Sequence, residues 1–176
     1  MFSWQRFQQK RERSRALHAE VLARHDQLVE QTRVLTGTDW LALPDDFNLR
    51  FEVLVLLVAV QLSVWRRRAQ PEDETRIRLL WEIMFEGFDN TLRQQGVSDI
   101  RMASRMRKLL GHATGRRNAY LESLAVRDPQ PLHAAIGRNV LNLQDAQTND
   151  PRIQRLLVAI QAMFPSDNFP EDTRTS

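Results

Sequence analysis

Cysteine is absent from the sequence and lysine is nearly so, since only Lys10 and Lys108 are lysines among 25 basic residues. Without cysteine the chain has neither disulfides nor thiolate chemistry, which suits a reducing compartment. Six glycines and seven prolines leave little room for the many tight turns of a β-sandwich. The opening residues MFSWQRFQQKRER also lack the apolar stretch of a secretory signal. We therefore expect a cytoplasmic protein.

Arginine carries nearly all of the positive charge, although the net charge is only +3. Because its guanidinium group pairs with carboxylates and phosphates in a fork, the surplus suits contact with a polyanion or a lipid headgroup. The alternative is a codon preference that leaves solvated arginines on the surface. Residues 1–15 combine one acid, Glu12, with five cations, Arg6, Lys10, Arg11, Arg13 and Arg15. We expect a basic, flexible segment there, and its Phe2, Trp4 and Phe7 could enter a membrane interface.

Hydrophobic residues recur at three- and four-residue steps along the rest of the chain, and no segment alternates as a strand does. The predicted helices span roughly residues 16–37, 46–68, 72–96, 98–120 and 131–143, and a last one begins near residue 151. Gly111 and Gly115 lower the helix propensity of the fourth, so we expect a break or kink before Tyr120.

The second predicted helix has an apolar centre, VLVLLVAVQLSVW, at residues 53–65. A helix that is apolar all round is buried in a fold or in a membrane. Thirteen residues rise only about 20 Å, short of the ~30 Å hydrocarbon core, which favours a buried core helix. We predict one compact all-α domain of six or seven helices around it, over residues 16–164, with a disordered tail at residues 165–176.

No catalytic or metal-binding pattern is visible. The four histidines are expected to be solvated, because His18 and His25 lack the two further ligands that zinc needs. Ser104 and His112 are not accompanied by the glycine-flanked nucleophile turn of a hydrolase. The sequence therefore predicts neither an enzyme nor a cofactor, a metal site or a small-molecule substrate.

The fourth predicted helix has an unusual charge distribution. Between Asp99 and Glu122 there is no acid, but there are six cations, Arg101, Arg105, Arg107, Lys108, Arg116 and Arg117. A basic amphipathic helix can bind the phosphates of anionic lipid or RNA. Alternatively, it pairs with acids of the same domain, such as Glu82, Glu86 and Asp89. The candidate contacts for an anionic surface are Arg101, Arg105 and Lys108.

Three blocks in order, spread over residues 43–139, resemble a known family. The first is LPDDFNLRFEVLVLL, the second is LLWEIMFEGFDNTLRQQGVSDI, and the third comprises GRRNAY and IGRNVL. They are similar to the motifs of the ubiquinol–cytochrome c chaperone family. The sequence departs from the family at Ala113–Thr114, where relatives tend to have an aromatic pair, and at Leu57, where a histidine is common.

The resemblance implies an all-helical assembly chaperone for the respiratory ubiquinol–cytochrome c reductase, complex III. Its client would be cytochrome b or another complex III subunit, held at the inner face of the membrane. A small helper protein, the ribosome or an anionic membrane surface would be further partners. Two rival functions are a membrane-surface adaptor and an RNA- or ribosome-binding module, each using the basic helix at 101–117.

Within the resembling blocks, the polar residues are candidates for partner contacts or for internal ion pairs. They are Arg50, Asp89, Arg93, Asp99, Arg116 and Tyr120. Asp89 and Arg93 are four residues apart, so they can also pair on one helix.

Overall fold

The computed structural model describes residues 2–94, 96, 98–143 and 149–164, apart from the side chains of residues 2, 3, 5, 99 and 100. Over these residues the protein has six α-helices, a short 3-10 helix and no strand, which confirms the predicted all-α fold. The helices are α1 (Phe2–Thr36), α2 (Phe47–Arg68), α3 (Asp73–Gln94), α4 (Asp99–Ala125), α5 (Gln130–Asn139) and α6 (Pro151–Gln161), with the 3-10 helix at Asp39–Leu41.

Helix α2 forms the centre of the fold, as predicted. The carboxylate of Asp46 caps its start by accepting a hydrogen bond from the Leu49 amide at 2.9 Å. Its end is closed by Ala69, whose left-handed backbone (φ 49°) directs its N–H to the Trp65 carbonyl. Helices α1, α3 and α4 pack against α2 and bury its residues on every side.

The length and composition of α2 would allow it to cross a membrane, and no other described helix meets this test. However, 72% of its most apolar 18-residue window is buried inside the protein. The core helix of a soluble protein passes the same test, so composition alone is weak evidence for a span. Its burial agrees with the predicted core helix.

Helix α1 lies antiparallel to α2 and parallel to α3. Arg24 donates to Gln61 of α2, and Arg76 of α3 donates to Glu20 at 2.9 Å. Its core-facing residues recur at helical spacing and are Leu17, Val21, His25, Leu28, Thr32 and Leu35. A hydrogen bond to α2, an ion pair with α3 and a buried stripe therefore fix α1 along two helices at once.

Helix α1 begins at Phe2, not near Ala16 as the apolar pattern predicted. The described side chains of residues 4–16 are exposed, except for the half-buried Gln8. Periodicity could not reveal this part of the helix, because periodicity reports burial and nothing here is buried. The predicted flexibility of residues 1–15 stays a prediction.

The predicted break before Tyr120 is wrong, because α4 is continuous from Asp99 to Ala125. Gly111 and Gly115 are exposed and face open space, so they contribute no close approach that would bend the helix. Ala113 and Tyr120 are buried in the core. Packing along α2 outweighs the propensity cost of two glycines, about 1 kcal/mol each.

The last two helices follow the predicted pattern closely. Helix α5 begins at Gln130 with a proline in its first turn, but it ends at Asn139, short of Leu143. Asp150 caps α6 by accepting from the Arg152 amide at 2.9 Å. The last helix and the turn that follows it bury five hydrophobic residues in the core, namely Ile153, Leu156, Leu157, Ile160 and Phe164. The predicted disordered tail, 165–176, lies outside the described residues.

Candidate functional site

A cavity of about 470 Å³ opens between α1, α3 and the start of α2. Its apolar wall is a cluster of three aromatic rings. The centroids of Phe51 and Phe88 are 5.3 Å apart, and Phe47 lies 6.1 Å from Phe88. These distances are typical of favourable aromatic packing. The cavity therefore has a preformed apolar surface.

Charged residues also line this cavity, and Arg50 is one of them. Its guanidinium forms two 2.7 Å hydrogen bonds to the carboxylate of Asp45. These hydrogen bonds lower the pKa of Asp45 to about 2. Arg50 forms an internal ion pair and is also half exposed, and its predicted partner contact stays a prediction.

His25 also lines the cavity, and its burial contradicts the prediction that the histidines are solvated. The position opposite is Gly87, where an added Cβ would lie 3.7 Å from the ring. The Nδ1 atom of His25 is 3.4 Å from the Asp26 carboxylate. His133 is buried as well. Among the described residues no cluster of three potential metal ligands occurs.

Asp89 and Arg93 form the ion pair that their spacing predicts. The Nε atom of Arg93 donates to Asp89 at 2.8 Å on the exposed surface of α3. An exposed pair of this kind stabilises the fold by about 0.3–0.5 kcal/mol. Asp89 also lines a shallow depression between α3 and α4, together with Glu86 and Met106. Both residues are accessible to a partner.

Arg116 and Tyr120 lie on the side of α4 that faces α2. Arg116 is hydrogen bonded to Glu52 of α2, and it lies 6.0 Å from the centre of the Phe51 ring. Burial raises the pKa of Glu52, and Arg116 opposes that shift. The pair joins α2 to α4, so the internal interpretation accounts for Arg116.

Tyr120 is fully buried. Its hydroxyl forms no hydrogen bond to the described residues. Burial raises the pKa of Tyr120, and the side chain of Asn139 acts in the opposite direction. The predicted partner contact of Tyr120 stays a prediction, without an exposed atom in this structure to support it.

The outer face of α4 is different, since Arg101, Arg105, Arg107 and Lys108 are all exposed. None of them forms an ion pair with any residue whose side chain the structure describes. Two of the three acids considered as internal partners are engaged elsewhere: Glu82 pairs with Arg78 and Asp89 with Arg93. Asp99 begins α4, but its side chain lies outside the described residues.

Sequence reasoning missed the cavity, because its residues come from three separate helices. The sequence singles out neither His25 nor Phe47 as a residue of a binding site. Gly87 was the one local signal, since a glycine inside an apolar helical pattern can mark close approach of a neighbour. Nothing in the sequence indicates which neighbour that is.

The arrangement of these helices has a counterpart among known proteins. Residues 39–163 match the sequence profile of the ubiquinol–cytochrome C chaperone family. The chain belongs to this family. The match is wider than the three blocks at 43–139 and includes α2 to α6, with the aromatic cavity wall and the basic face. All of α1, including His25, precedes it.

A solved structure has a similar fold. The crystal structure of the Cbp3 homolog from Brucella abortus superposes with a TM-score of 0.65 at 22% identity, covering 88% of this chain and 84% of that one. Among curated proteins, no relative matches. Membership of the chaperone family agrees with the predicted class of function.

Proposed function

We propose that the protein is an assembly chaperone for ubiquinol–cytochrome c reductase that holds a hydrophobic client such as cytochrome b at the inner face of the membrane. The observation that carries this proposal is the family match over residues 39–163. Such a chaperone needs surfaces that hold a client transiently and no turnover chemistry.

The aromatic cavity is the surface best suited to a hydrophobic client. Its volume, about 470 Å³, lies in the range of pockets that bind ligands. Phe47 and Phe88 supply apolar contact area, while Arg50 and Asp45 at the rim can bind polar backbone or charged groups. This combination of an apolar interior and a polar rim is common in protein interfaces. The accessible ion pair of Asp89 and Arg93 would extend the contact along α3.

Affinity capture from a native membrane extract, with complex III subunits scored in the eluate, tests the proposal. Phe47→Ala should lower the recovery of these subunits by removing apolar contact area from the cavity. Leu43→Ala is a matched control, since Leu43 is also half-buried but does not line the cavity. Thermal stability of both variants separates loss of binding from loss of folding. Equal recovery by wild type and Phe47→Ala would reject the cavity as the client site.

A second candidate function rests on the basic face of α4. Four exposed cations without a described ion pair suit a polyanion more than an internal role. The protein would then be an adaptor that uses the 101–117 region to bind a membrane surface or ribosomal RNA. Binding assays with anionic vesicles and with RNA distinguish these cases, and log affinity for RNA phosphates should fall linearly with log salt.

A further inference from the structure

The first turns of α1 form a helix that extends beyond the rest of the fold. At 35 residues, α1 is about 52 Å long, whereas the 22 residues of α2 span about 33 Å. Arg13 pairs with Glu72, which lies in the turn between α2 and α3 at one end of the helical bundle. Residues preceding Arg13 therefore continue past that end.

Two large aromatic side chains lie exposed on this extension. Trp4 is 68% exposed and Phe7 is 56% exposed. Three residues apart, they share one face of the helix. The buried stripe of α1 that packs on the core begins further along the helix, at Leu17. The extension thus presents two large apolar side chains that the described part of the fold leaves mostly exposed.

Cations surround the two aromatic residues. Lys10 and Arg11 follow Phe7 at three and four residues, and the Arg11 guanidinium lies 5.7 Å from the centre of its ring. Arg6 is exposed one turn before Lys10, and Glu12 is the one acid within residues 4–15. Trp and Phe on one side, with Lys and Arg beside them, are characteristic of helices that lie in the interface of an anionic bilayer.

We propose that residues 4–15 of α1 bind the surface of an anionic phospholipid membrane, with Trp4 and Phe7 inserted among the headgroups and Arg6, Lys10 and Arg11 paired with lipid phosphates. This inference deepens the membrane location proposed above and rests on it. An anionic bilayer is the occupant that charge favours, because three exposed cations, Arg6, Lys10 and Arg11, lie close to Trp4 and Phe7 along the helix. It is favoured over RNA because two aromatics inserted side by side gain apolar burial in lipid.

The base of the extension is held firmly enough to transmit this contact to the fold. The side chain of Arg76 is buried and binds Glu20 through two hydrogen bonds of 2.9 and 3.0 Å. Leu17 is the first buried residue among the described side chains of α1. A membrane-bound extension would therefore hold the whole helical bundle at a fixed distance from the bilayer.

Sedimentation of the full-length protein with vesicles tests this inference. Wild type should bind vesicles made of equal parts phosphatidylglycerol and phosphatidylcholine, and bind pure phosphatidylcholine much more weakly. Trp4→Ala with Phe7→Ala should weaken binding to the mixed vesicles about tenfold or more, since each aromatic loses its burial in lipid. Arg6→Glu with Lys10→Glu should weaken it comparably, and more so at low salt.

Matched controls come from α6. Val158 is as exposed as Phe7, at 56%, and Arg155 is an exposed cation. Val158→Ala with Arg155→Glu should leave vesicle binding unchanged. If the Trp4/Phe7 variant binds vesicles as wild type does, or if wild type binds RNA but no vesicle, the inference is overturned. A variant that loses vesicle binding while purified complex III subunits are still captured would leave the chaperone proposal intact.

Discussion

Two groups of arginines in this protein have opposite surroundings. Where α1 meets the α2–α3 turn, Arg68 and Arg76 bind the buried carboxylate of Asp73, and Arg76 also binds Glu20. On the outer face of α4, Arg101 and Arg105 are exposed and form no described ion pair. One group links helices together, whereas the other is directed outward.

This contrast explains the high arginine content, which by itself fits either internal ion pairs or a surface that binds phosphates. Arginine suits buried ion pairs because its planar fork satisfies two carboxylates at once, and it suits phosphate surfaces for the same geometric reason. Counting arginines therefore cannot separate the two uses. The positions of the acidic residues separate the two uses of arginine. Acidic residues are concentrated at the start of α3 and absent from α4 between Asp99 and Glu122.

The largest effect is expected from Arg76→Met. This change leaves the buried Asp73 with one cation fewer and frees Glu20 from its pair, so the free energy of unfolding should fall by about 2 kcal/mol. Arg78→Met on the same helix is the control, because the Arg78 pair with Glu82 is exposed and should cost under about 0.5 kcal/mol. Urea unfolding measures both. Equal losses would mean that the buried cluster is no more than a surface ion pair.

Asp73→Asn should lower stability by about 1.5 kcal/mol at neutral pH, because hydrogen bonds to a charged group are lost. The Arg68 hydrogen bond lowers the pKa of Asp73 below its ordinary value of 3.8. The stabilisation is thus complete above pH 3.8 and is lost as the pH falls below it towards the folded-state pKa. Unfolding curves measured against pH should converge for wild type and variant on the acid side. Parallel curves would contradict this assignment.

Ala69→Gly should stabilise the protein by about 0.5–1 kcal/mol. Ala69 ends α2 with φ at 49°, a left-handed conformation in which glycine avoids the steric cost of a Cβ. Thermal melting provides the measurement, and Ala125→Gly in the regular last turn of α4 is the control that should destabilise. A loss of stability in Ala69→Gly would contradict the strained-turn interpretation.

The smallest change in stability is expected for Arg101→Glu combined with Arg105→Glu and Lys108→Glu. These exposed residues make no described ion pair, so the free energy of unfolding should change by under about 0.5 kcal/mol. Binding to anionic vesicles or to RNA should nevertheless weaken, with a reduced salt dependence. A large loss of stability would show that the cations pair internally. Unchanged binding to both vesicles and RNA would mean that this face of α4 is only a solvated surface.

The sequence predicted the positions of the helices better than the contacts between them. The apolar run at 53–65 and the caps Asp46 and Asp150 are local signals, and the structure confirms each helix that they indicate. The continuity of α4 through Gly111 was missed because packing against α2 outweighs local propensity. The early start of α1 was missed because none of the described side chains in its first turns is buried.

The candidate site could be predicted only in part for the same reason. Arg50 and Asp89 were found through the resemblance to the chaperone family. Predicting the cavity would require knowing in advance that His25 of α1 packs against Gly87 of α3. Arg116 was named as a candidate, but its internal partner Glu52 is 64 residues away in sequence, beyond any spacing rule.

The amount of assembled ubiquinol–cytochrome c reductase in a strain lacking this gene tests the central claim most directly. The account predicts a specific loss of this complex, with other respiratory complexes spared and activity per assembled complex unchanged. Wild-type protein should restore it, while Arg50→Ala, Asp89→Ala and Arg93→Ala should fold and restore it poorly. A normal level of the complex in the deletion strain would contradict the chaperone function and favour the adaptor that uses the basic face of α4.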